Sequence, residues 1–120
     1  NSSAFHTHGA PMPSVQLLVN KSLGLDANTV AKVAHDAVKN GIGKPDMYIT
    51  VAVTMADCVL VGGKPASVLA QVDSIGGNFA GFVKELCKAL LPLGVDASLI
   101  TATFRSVSMK EFAMNGSTLG

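Results

Sequence analysis

The stretch Met47-Tyr48-Ile49-Thr50-Val51-Ala52-Val53-Thr54 is apolar and rich in β-branched residues, which predicts a strand over residues 47–54. Its Ile49-Thr50 pair returns 51 residues later as Ile100-Thr101, inside a second predicted strand, Leu99–Ser106. Each of these two strands comes last in the same series of a strand, a helix and a glycine-containing turn. The sequence therefore predicts two βαβ repeats.

The remaining elements follow from hydrophobic periodicity and from capping residues. In the first repeat we expect a strand over Ser14–Asn20 and a helix that is capped by Asp26 and ends near Asn40. In the second repeat we expect a strand over Ser67–Ser74 and a helix that is capped by Asn78 and stops near Pro92–Gly94. A short apolar run, Cys58–Val61, and a C-terminal strand, Phe112–Leu119, complete the prediction.

Two such repeats predict an α+β fold, a two-layer sandwich in which a four-stranded sheet carries both helices on one face. We expect the other sheet face to be apolar and uncovered, so that something outside the monomer must bury it. The composition agrees, because 48% of the residues are hydrophobic and only 14% are charged. A homotrimer with three inward-facing sheets is one closed solution.

The 120 residues suffice for one domain, which we place at residues 13–120, behind a flexible leader or expression remnant over residues 1–12. A net charge of +1 gives no reason to expect nucleic acid as a partner. No apolar run is long enough to span a bilayer, so membrane insertion is not expected. Residues 1–12 lack the basic and apolar regions of a signal peptide, which predicts a cytoplasmic protein or one secreted without such a signal.

The chain offers few residues for side-chain chemistry. Its carboxylates form no pair with the spacing of an acid and a base, and no phosphate-binding or nucleophile motif stands between a strand and a helix. Cys58 and Cys87 form no Cys-x-x-Cys pair and are expected to be buried free thiols. His6 and His8 have no third ligand nearby, so neither a metal nor a cofactor is expected.

Two residues stand out from this background. Pro13 begins the first strand, and proline is the only residue whose free α-amine is a secondary amine, an unusual base. While residues 1–12 stay attached, that nitrogen is a tertiary amide without a basic lone pair. Lys44 lies at the turn before the second strand, next to Pro45, which favours an extended backbone at Lys44. A solvated lysine near a helix C-terminus is the simpler interpretation of Lys44.

Several short motifs now combine into a resemblance. In order and near-spacing, residues 13–120 resemble the macrophage migration inhibitory factor family, which includes D-dopachrome tautomerase. The motifs that carry it are Met12-Pro13, Gly43-Lys44-Pro45-x-x-Tyr48, Gly62-Gly63, Ser74-Ile75-Gly76 and Asn115-Gly116-Ser117-Thr118. The resemblance implies the trimeric tautomerase fold and a keto–enol tautomerase that acts on phenylpyruvate or dopachrome-like substrates.

The resemblance also implies roles for single residues. Pro13 would be the catalytic base, Lys44 would bind the substrate carboxylate, and Ile75 would line the pocket. Thr103 stands where vertebrate members contribute an asparagine from the neighbouring subunit, and Thr101 stands in place of a pocket tyrosine. Phe112 is expected to restore some of the apolar surface that is lost.

Two alternatives stay open. If residues 1–12 cap Pro13 permanently, the chain would be a catalytically silent, cytokine-like binding protein on the same scaffold, with a cell-surface receptor as partner. Another branch of the tautomerase superfamily, such as an isomerase or a dehalogenase, is less favoured. Those enzymes commonly use extra arginines, and Arg105 is the only arginine here.

Overall fold

A four-stranded mixed sheet forms one layer of the molecule. The computed structural model describes residues 13–43 and 46–120, apart from the side chain of Met47. The strands of the sheet and the two long helices are β1 (Pro13–Asn20), α1 (Ala27–Ile42), β2 (Thr50–Ala56), β3 (Val68–Ser74), α2 (Phe79–Leu90) and β4 (Ile100–Ser106). A separate pair of short strands, β5 (Ala113–Met114) and β6 (Ser117–Thr118), follows.

The order of strands across the sheet is β2-β1-β3-β4. β1 runs parallel to β2 and β3 runs parallel to β4, while the two central strands, β1 and β3, are antiparallel. Each repeat therefore supplies one parallel pair joined through a helix, and the two pairs meet at the centre of the sheet. This arrangement confirms the predicted α+β fold with two βαβ repeats.

Capping interactions set the ends of the helices. The Asp26 side chain accepts a hydrogen bond from the Thr29 amide at 3.0 Å, and Asn78 caps α2 through the Gly81 amide at 2.9 Å. α1 ends two residues later than predicted, at Ile42, because Gly43 adopts the left-handed conformation (φ +85°) and its amide bonds back to the last turn.

The core lies between the sheet and the helices. Alternate residues of the central strands face the helices and are fully buried, and the helices contribute one apolar stripe each. Its largest members are Val15, Leu17, Val19, Val30, Val38, Val68, Val72, Phe82, Leu86, Leu90 and Val95. The helices approach closely at Gly41, where an added Cβ would lie 2.6 Å from the backbone of Phe82. Both helices thus cover the same face of the sheet, as predicted.

The opposite face of the sheet differs from the prediction, because it is mainly polar. Thr50, Ser14, Asp73 and Arg105 form one row across the four strands. The next row consists of Ala52, Gln16, Gln71 and Thr103. Only the third row has a large apolar pair, Leu18 beside Leu69, and both side chains are half-buried. The expectation of an apolar open face is wrong, since the apolar residues of each strand alternate toward the helices.

Two segments also differ from the predicted elements. β2 begins at Thr50 rather than at Met47, because Asp46–Tyr48 forms a 3₁₀ turn. The C-terminal strand is a hairpin instead, with Asn115 (φ +56°) and Gly116 (φ +85°) at its turn. Asn-Gly is the sequence that such a two-residue hairpin turn prefers. The run Cys58–Val61 forms no strand, and a bridge between Val61 and Lys64 closes that loop.

None of the helices in the described part of the chain combines the length and the hydrophobicity needed to cross a membrane.

Candidate functional site

Pro13 occupies a sheltered position at one end of the sheet. It is the first residue of β1, its side chain is less than 2% exposed, and its partner on the neighbouring strand is Ser74. Side chains alternate between the two faces of β1, and Pro13 is on the same face as Val15 and Leu17, which face the helices. The predicted base is therefore on a rigid central strand, at the place where β3 ends.

The turn that follows β3 is fixed beside Pro13. The buried Ser74 hydroxyl donates a hydrogen bond to the Gly76 carbonyl at 2.6 Å, and the Ser74 carbonyl accepts one from the Val107 amide at 3.0 Å. Ile75, between these anchors, is 8% exposed. Because Ile75 follows the strand partner of Pro13 directly, the structure brings these two sequence-predicted residues together.

A cavity of about 340 Å³ opens at this end of the sheet. Ser14, which follows Pro13, is part of its wall, and so are Val107 and Phe112 from the C-terminal segment. The rest of its lining is Thr50, Asp73, Arg105, Glu111 and Ala113. Phe112 thus supplies apolar surface to a cavity at this end of the sheet, and its predicted role in a substrate pocket stays a prediction.

Charged side chains in this cavity are paired. The Arg105 guanidinium donates two hydrogen bonds to Asp73, from Nε to Oδ1 at 3.2 Å and from Nη2 to Oδ2 at 2.9 Å. This bidentate pairing raises the pKa of Arg105 above its ordinary value. Arg105 and Asp73 thus form a planar pair on neighbouring strands.

Glu111 caps the last 3₁₀ turn, Met109–Glu111, beside the same cavity. Its Oε1 accepts hydrogen bonds from the Ser108 amide at 3.1 Å and from the Ser108 hydroxyl at 2.9 Å. These bonds lower the pKa of Glu111, and the nearby charge of Arg105 adds to the effect. The cap holds the segment that carries Phe112 in place.

Thr103 lies away from Pro13 within one chain. It is exposed on the open face in the middle of β4, where its partner is Gln71. In the sheet, Thr103 is two strands away from Pro13 and three residues before the β4 residue that lies level with Pro13. These two offsets place Thr103 and Pro13 roughly 14 Å apart. Thr103 instead borders a second cavity of about 390 Å³ on the open face, whose wall also includes Gln16, Gln71 and Arg105. The structure does not bring Thr103 to Pro13 of the same chain.

Lys44 lies outside the described residues, so its predicted role stays a prediction. Its neighbours are well anchored. Gly43 ends α1, and the Asp46 carboxylate lies 3.2 Å from Lys39 Nζ and 3.6 Å from His35 Nε2, both on α1. These contacts fasten both ends of the segment that contains Lys44 to the same helix.

The cysteines differ in their surroundings. Both are free thiols; Cys58 is exposed, contrary to the prediction, whereas Cys87 is half-buried on α2. Burial raises the pKa of Cys87, and the nearby Asp96 carboxylate adds to this. Within residues 13–43 and 46–120 no group of three His, Cys, Asp or Glu side chains could hold a metal ion.

The sequence analysis missed the paired charges at the cavity. Asp73 and Arg105 are 32 residues apart, and only the parallel register of β3 and β4 makes them neighbours. The sequence did contain a signal for this pair. Asp73 and Arg105 each lie two residues after another polar residue of the same strand, Gln71 and Thr103, so polar side chains share one face of each strand. Ser108-x-x-Glu111 also matched a capping box in the sequence.

Comparison with known proteins places this geometry among related folds. Neither a family profile nor a characterised protein sequence matches the chain. Among solved structures, a macrophage migration inhibitory factor-like protein from Entamoeba histolytica is 22% identical, with a TM-score of 0.75 over 89% of this chain and 98% of that one.

Two enzymes of other activities have the same fold. A malonate semialdehyde decarboxylase, solved in wild-type, mutant and inactivated forms, is 18% identical with a TM-score of 0.68, over 85% of this chain and 90% of that one. A fused 4-OT, an asymmetric trimer, is 15% identical with a TM-score of 0.72, over 88% of this chain and 95% of that one. The resemblance seen in the sequence is thus confirmed in three dimensions, and the chain has the fold of the macrophage migration inhibitory factor and tautomerase proteins.

Proposed function

We propose that this chain is a keto–enol tautomerase whose base is the nitrogen of Pro13 when that nitrogen is a free amine. The observation that carries the proposal is the placement of Pro13: it is buried at a sheet end, its strand partner Ser74 is followed directly by Ile75, and a cavity opens next to Ser14. Neighbours of the same fold include tautomerase-superfamily enzymes, which supports isomerase-type chemistry. We propose phenylpyruvate or a dopachrome-like compound as substrate.

The chemistry follows from the environment of the amine. Burial penalises the charged form, so a free Pro13 amine loses proton affinity and is partly unprotonated near neutral pH. It can then take a proton from the carbon next to a ketone and return that proton to the enolate oxygen or to carbon, so that the keto and enol forms interconvert. No group leaves and no electron is transferred.

Lys44 is proposed to bind the substrate carboxylate. The described residues on either side of it, Gly43 and Asp46, are both bonded to α1. A charge-assisted hydrogen bond from an ammonium group orients an α-keto acid and also disfavours the protonated form of a nearby amine.

Thr103 is proposed to act at the site of a neighbouring subunit, in a homotrimer. Its position on the open face, away from Pro13 of its own chain, leaves a role only through a second copy. The placement of β2 and β4 at the outer edges of the sheet supports this assembly, because exposed edge strands are ready to pair with another chain. A neighbour of the same fold is itself a trimer.

The direct test compares two forms of the protein. A form that begins at Pro13 and the form with residues 1–12 attached are assayed for the ketonisation of phenylpyruvate enol, after intact mass spectrometry has verified each start. We expect activity only in the form that begins at Pro13. Equal activity in both forms would contradict a terminal-amine mechanism.

The second candidate is a silent, cytokine-like binding protein on the same scaffold. It would follow if Met12 stays joined to Pro13, because that bond makes the Pro13 nitrogen an amide. We propose a cytoplasmic location for the enzyme, whereas the binding protein would need release from the cell and a receptor. Mass spectrometry of the protein isolated from its source separates the two, since the enzyme must carry a free Pro13.

A further inference from the structure

Two Asn-Gly pairs of this chain lie in very different surroundings. Asn40-Gly41 belongs to the last turn of α1, and Asn115-Gly116 forms the turn of the C-terminal hairpin. Both asparagine side chains are exposed to solvent. In an Asn-Gly pair the side-chain carbonyl carbon is easily attacked by the next backbone nitrogen, because glycine has no Cβ to hinder the approach. Exposure does not distinguish the two pairs, so any difference in reactivity must come from the backbone.

The backbone of the first pair is held on two sides. Gly41 belongs to α1, in which each backbone amide bonds to a carbonyl four residues earlier. It also lies against α2, since a Cβ added at Gly41 would be 2.6 Å from backbone atoms of Gly81 and Phe82. Ring closure requires the peptide to rotate until the Gly41 nitrogen faces the Asn40 side chain. This rotation would break the end of the helix and its contact with α2 together.

The backbone of the second pair is held by the hairpin alone. β5 and β6 have two residues each and pair only with each other among the described strands. None of residues 109–120 is buried, and an isolated two-stranded hairpin is at best marginally stable. Asn115 also has a φ of +56°, which is uncommon for a residue other than glycine. Opening of this hairpin therefore costs less free energy than opening of α1.

We propose that Asn115 is a site of spontaneous deamidation, in which opening of the hairpin permits ring closure onto Gly116, whereas Asn40 stays intact in the folded protein. The Gly116 nitrogen loses its proton and attacks Asn115 Cγ. A C–N bond forms, and the side-chain nitrogen takes up a proton and leaves as ammonia. Water then opens the succinimide at either carbonyl, which gives aspartate or isoaspartate. No oxidant or reductant takes part, and the reaction is independent of the chemistry proposed for Pro13.

The modification changes the C-terminal segment permanently. Both products add a negative charge at the turn, and isoaspartate also inserts a methylene group into the backbone. A two-residue hairpin turn depends on the normal backbone length. The Leu119 amide donates to the Phe112 carbonyl at 3.0 Å across this hairpin, and it loses that partner in the isoaspartate form. Modification of Asn115 thus loosens the segment that carries Phe112.

The test follows both asparagines in the same molecule. The full chain is incubated at neutral pH, either folded or in urea, and is digested at acidic pH, where ring closure is slow. Mass spectrometry then quantifies modification in the peptides that contain Asn40 and Asn115. In the folded protein we expect Asn115 to be modified at least about ten-fold faster than Asn40, because the hairpin opens more often than the helix. In urea the two rates should agree within about two-fold.

Two variants and the products make the assignment specific. Asn115→Gly keeps a residue that adopts positive φ without strain, and it should remove most of the acidic form that accumulates on ion exchange. Asn40→Ala should leave the accumulation of that form unchanged. Isoaspartate must accompany aspartate at residue 115, because direct hydrolysis of the side chain gives aspartate alone.

Three results would overturn the proposal. They are a rate at Asn115 no higher than that at Asn40 in the folded protein, aspartate without isoaspartate at residue 115, and an acidic form that persists undiminished in Asn115→Gly. Hydrogen exchange of the purified isoaspartate form tests the structural consequence. There the Leu119 amide should exchange faster than in the unmodified protein, and equal protection would contradict the loosening of this segment.

Discussion

Pro13 has two properties that a strand residue rarely combines: it is fully buried, and it has no amide hydrogen to donate to the sheet. At the first position of β1 the missing donor costs little, because the ladder begins there. The same position gives the nitrogen an apolar shelter beside Ile75. A proline at this place is compatible with the fold in either form of the chain, whereas its chemistry depends on a free amine.

Replacement of Pro13 by glycine in the form that begins at residue 13 tests the base directly. A primary amine remains, but the rigid ring is lost, so we expect turnover of phenylpyruvate to fall about ten-fold or more. Stability should also fall, by about 2–4 kcal/mol, because a buried ring is deleted and glycine is unfavourable in a strand. Pro92→Gly, at an exposed turn, is the matched control. Unchanged turnover in Pro13→Gly would exclude the proline as base.

Lys44→Ala tests the carboxylate-binding role. Because a bond to a charged group is lost only when the substrate is charged, the Michaelis constant for phenylpyruvate should rise about ten-fold, and that for its methyl ester should change little. Lys32→Ala, which removes an exposed charge from α1, should alter neither constant. Equal increases for acid and ester would contradict a specific contact with the carboxylate.

At this scale the sequence predicted part of the site. The neighbourhood of Pro13 and Ile75 could be predicted, because Pro13 begins β1 and Ile75 follows β3, two strands that hydrophobic periodicity reveals. Thr103 and the pair of Asp73 with Arg105 depend on the register and on the open face of β4, which a single sequence does not display. Their position became visible only with the pairing of β3 and β4.

The two helices are joined by a contact of backbone against backbone. Gly41 of α1 lies against Gly81 and Phe82 of α2, with no space for a methyl group. We expect Gly41→Ala to lower the free energy of unfolding by about 1–3 kcal/mol, although alanine is the better helix former. Urea denaturation measures this, with Asn40→Ala as a control that should change stability by less than about 0.5 kcal/mol. A more stable Gly41→Ala protein would show that the helices can separate without cost.

The cap at Ser108 predicts a pH dependence for the C-terminal segment. The hydrogen bonds to Ser108 lower the pKa of Glu111 in the folded protein, so its contribution to stability is present above the ordinary glutamate pKa and is lost as the pH falls through the lowered value. The protection of the Phe112 amide, taken as its exchange rate relative to the intrinsic rate at each pH, should therefore fall below that range. In Glu111→Ala the amide should exchange fast at every pH, and a protected amide in that variant would contradict the role of the cap.

Whole elements were more predictable than their boundaries. Strand and helix types in residues 13–106 agree with the sequence, since each follows a clear hydrophobic period. β2 starts late because Asp46–Tyr48 forms a 3₁₀ turn, whose Asp46 carboxylate contacts His35 and Lys39 of α1. The hairpin at Asn115-Gly116 was missed although the sequence contains the preferred turn pair. The polar open face follows from strand alternation, because the residues between the buried apolar positions of β1 and β3 are mainly polar.

For the whole molecule we expect a trimer in solution, with a sedimentation mass three times 12.3 kDa. If a site combines Pro13 of one chain with Thr103 of the next, two variants of reduced activity should complement each other. Pro13→Gly chains and Thr103→Trp chains, refolded together, should then show more activity than either alone, because some sites hold a native residue at both positions. A monomeric mass, or a mixture no more active than its parts, would contradict shared sites.

The antiparallel pairing of β1 and β3 has a consequence for the symmetry of the molecule. It sets the starts of the two equivalent strands at opposite ends of the sheet. At the far end, β3 begins at Val68, whose nitrogen is in a peptide bond with Ser67 and is never a base. The chain around that bond is hydrogen-bonded: the Asn20 amide donates to the Ser67 carbonyl, and Asn20 Oδ1 accepts from the Val59 amide. Two like halves thus produce a molecule whose two ends differ, and the proposed base belongs to one end alone.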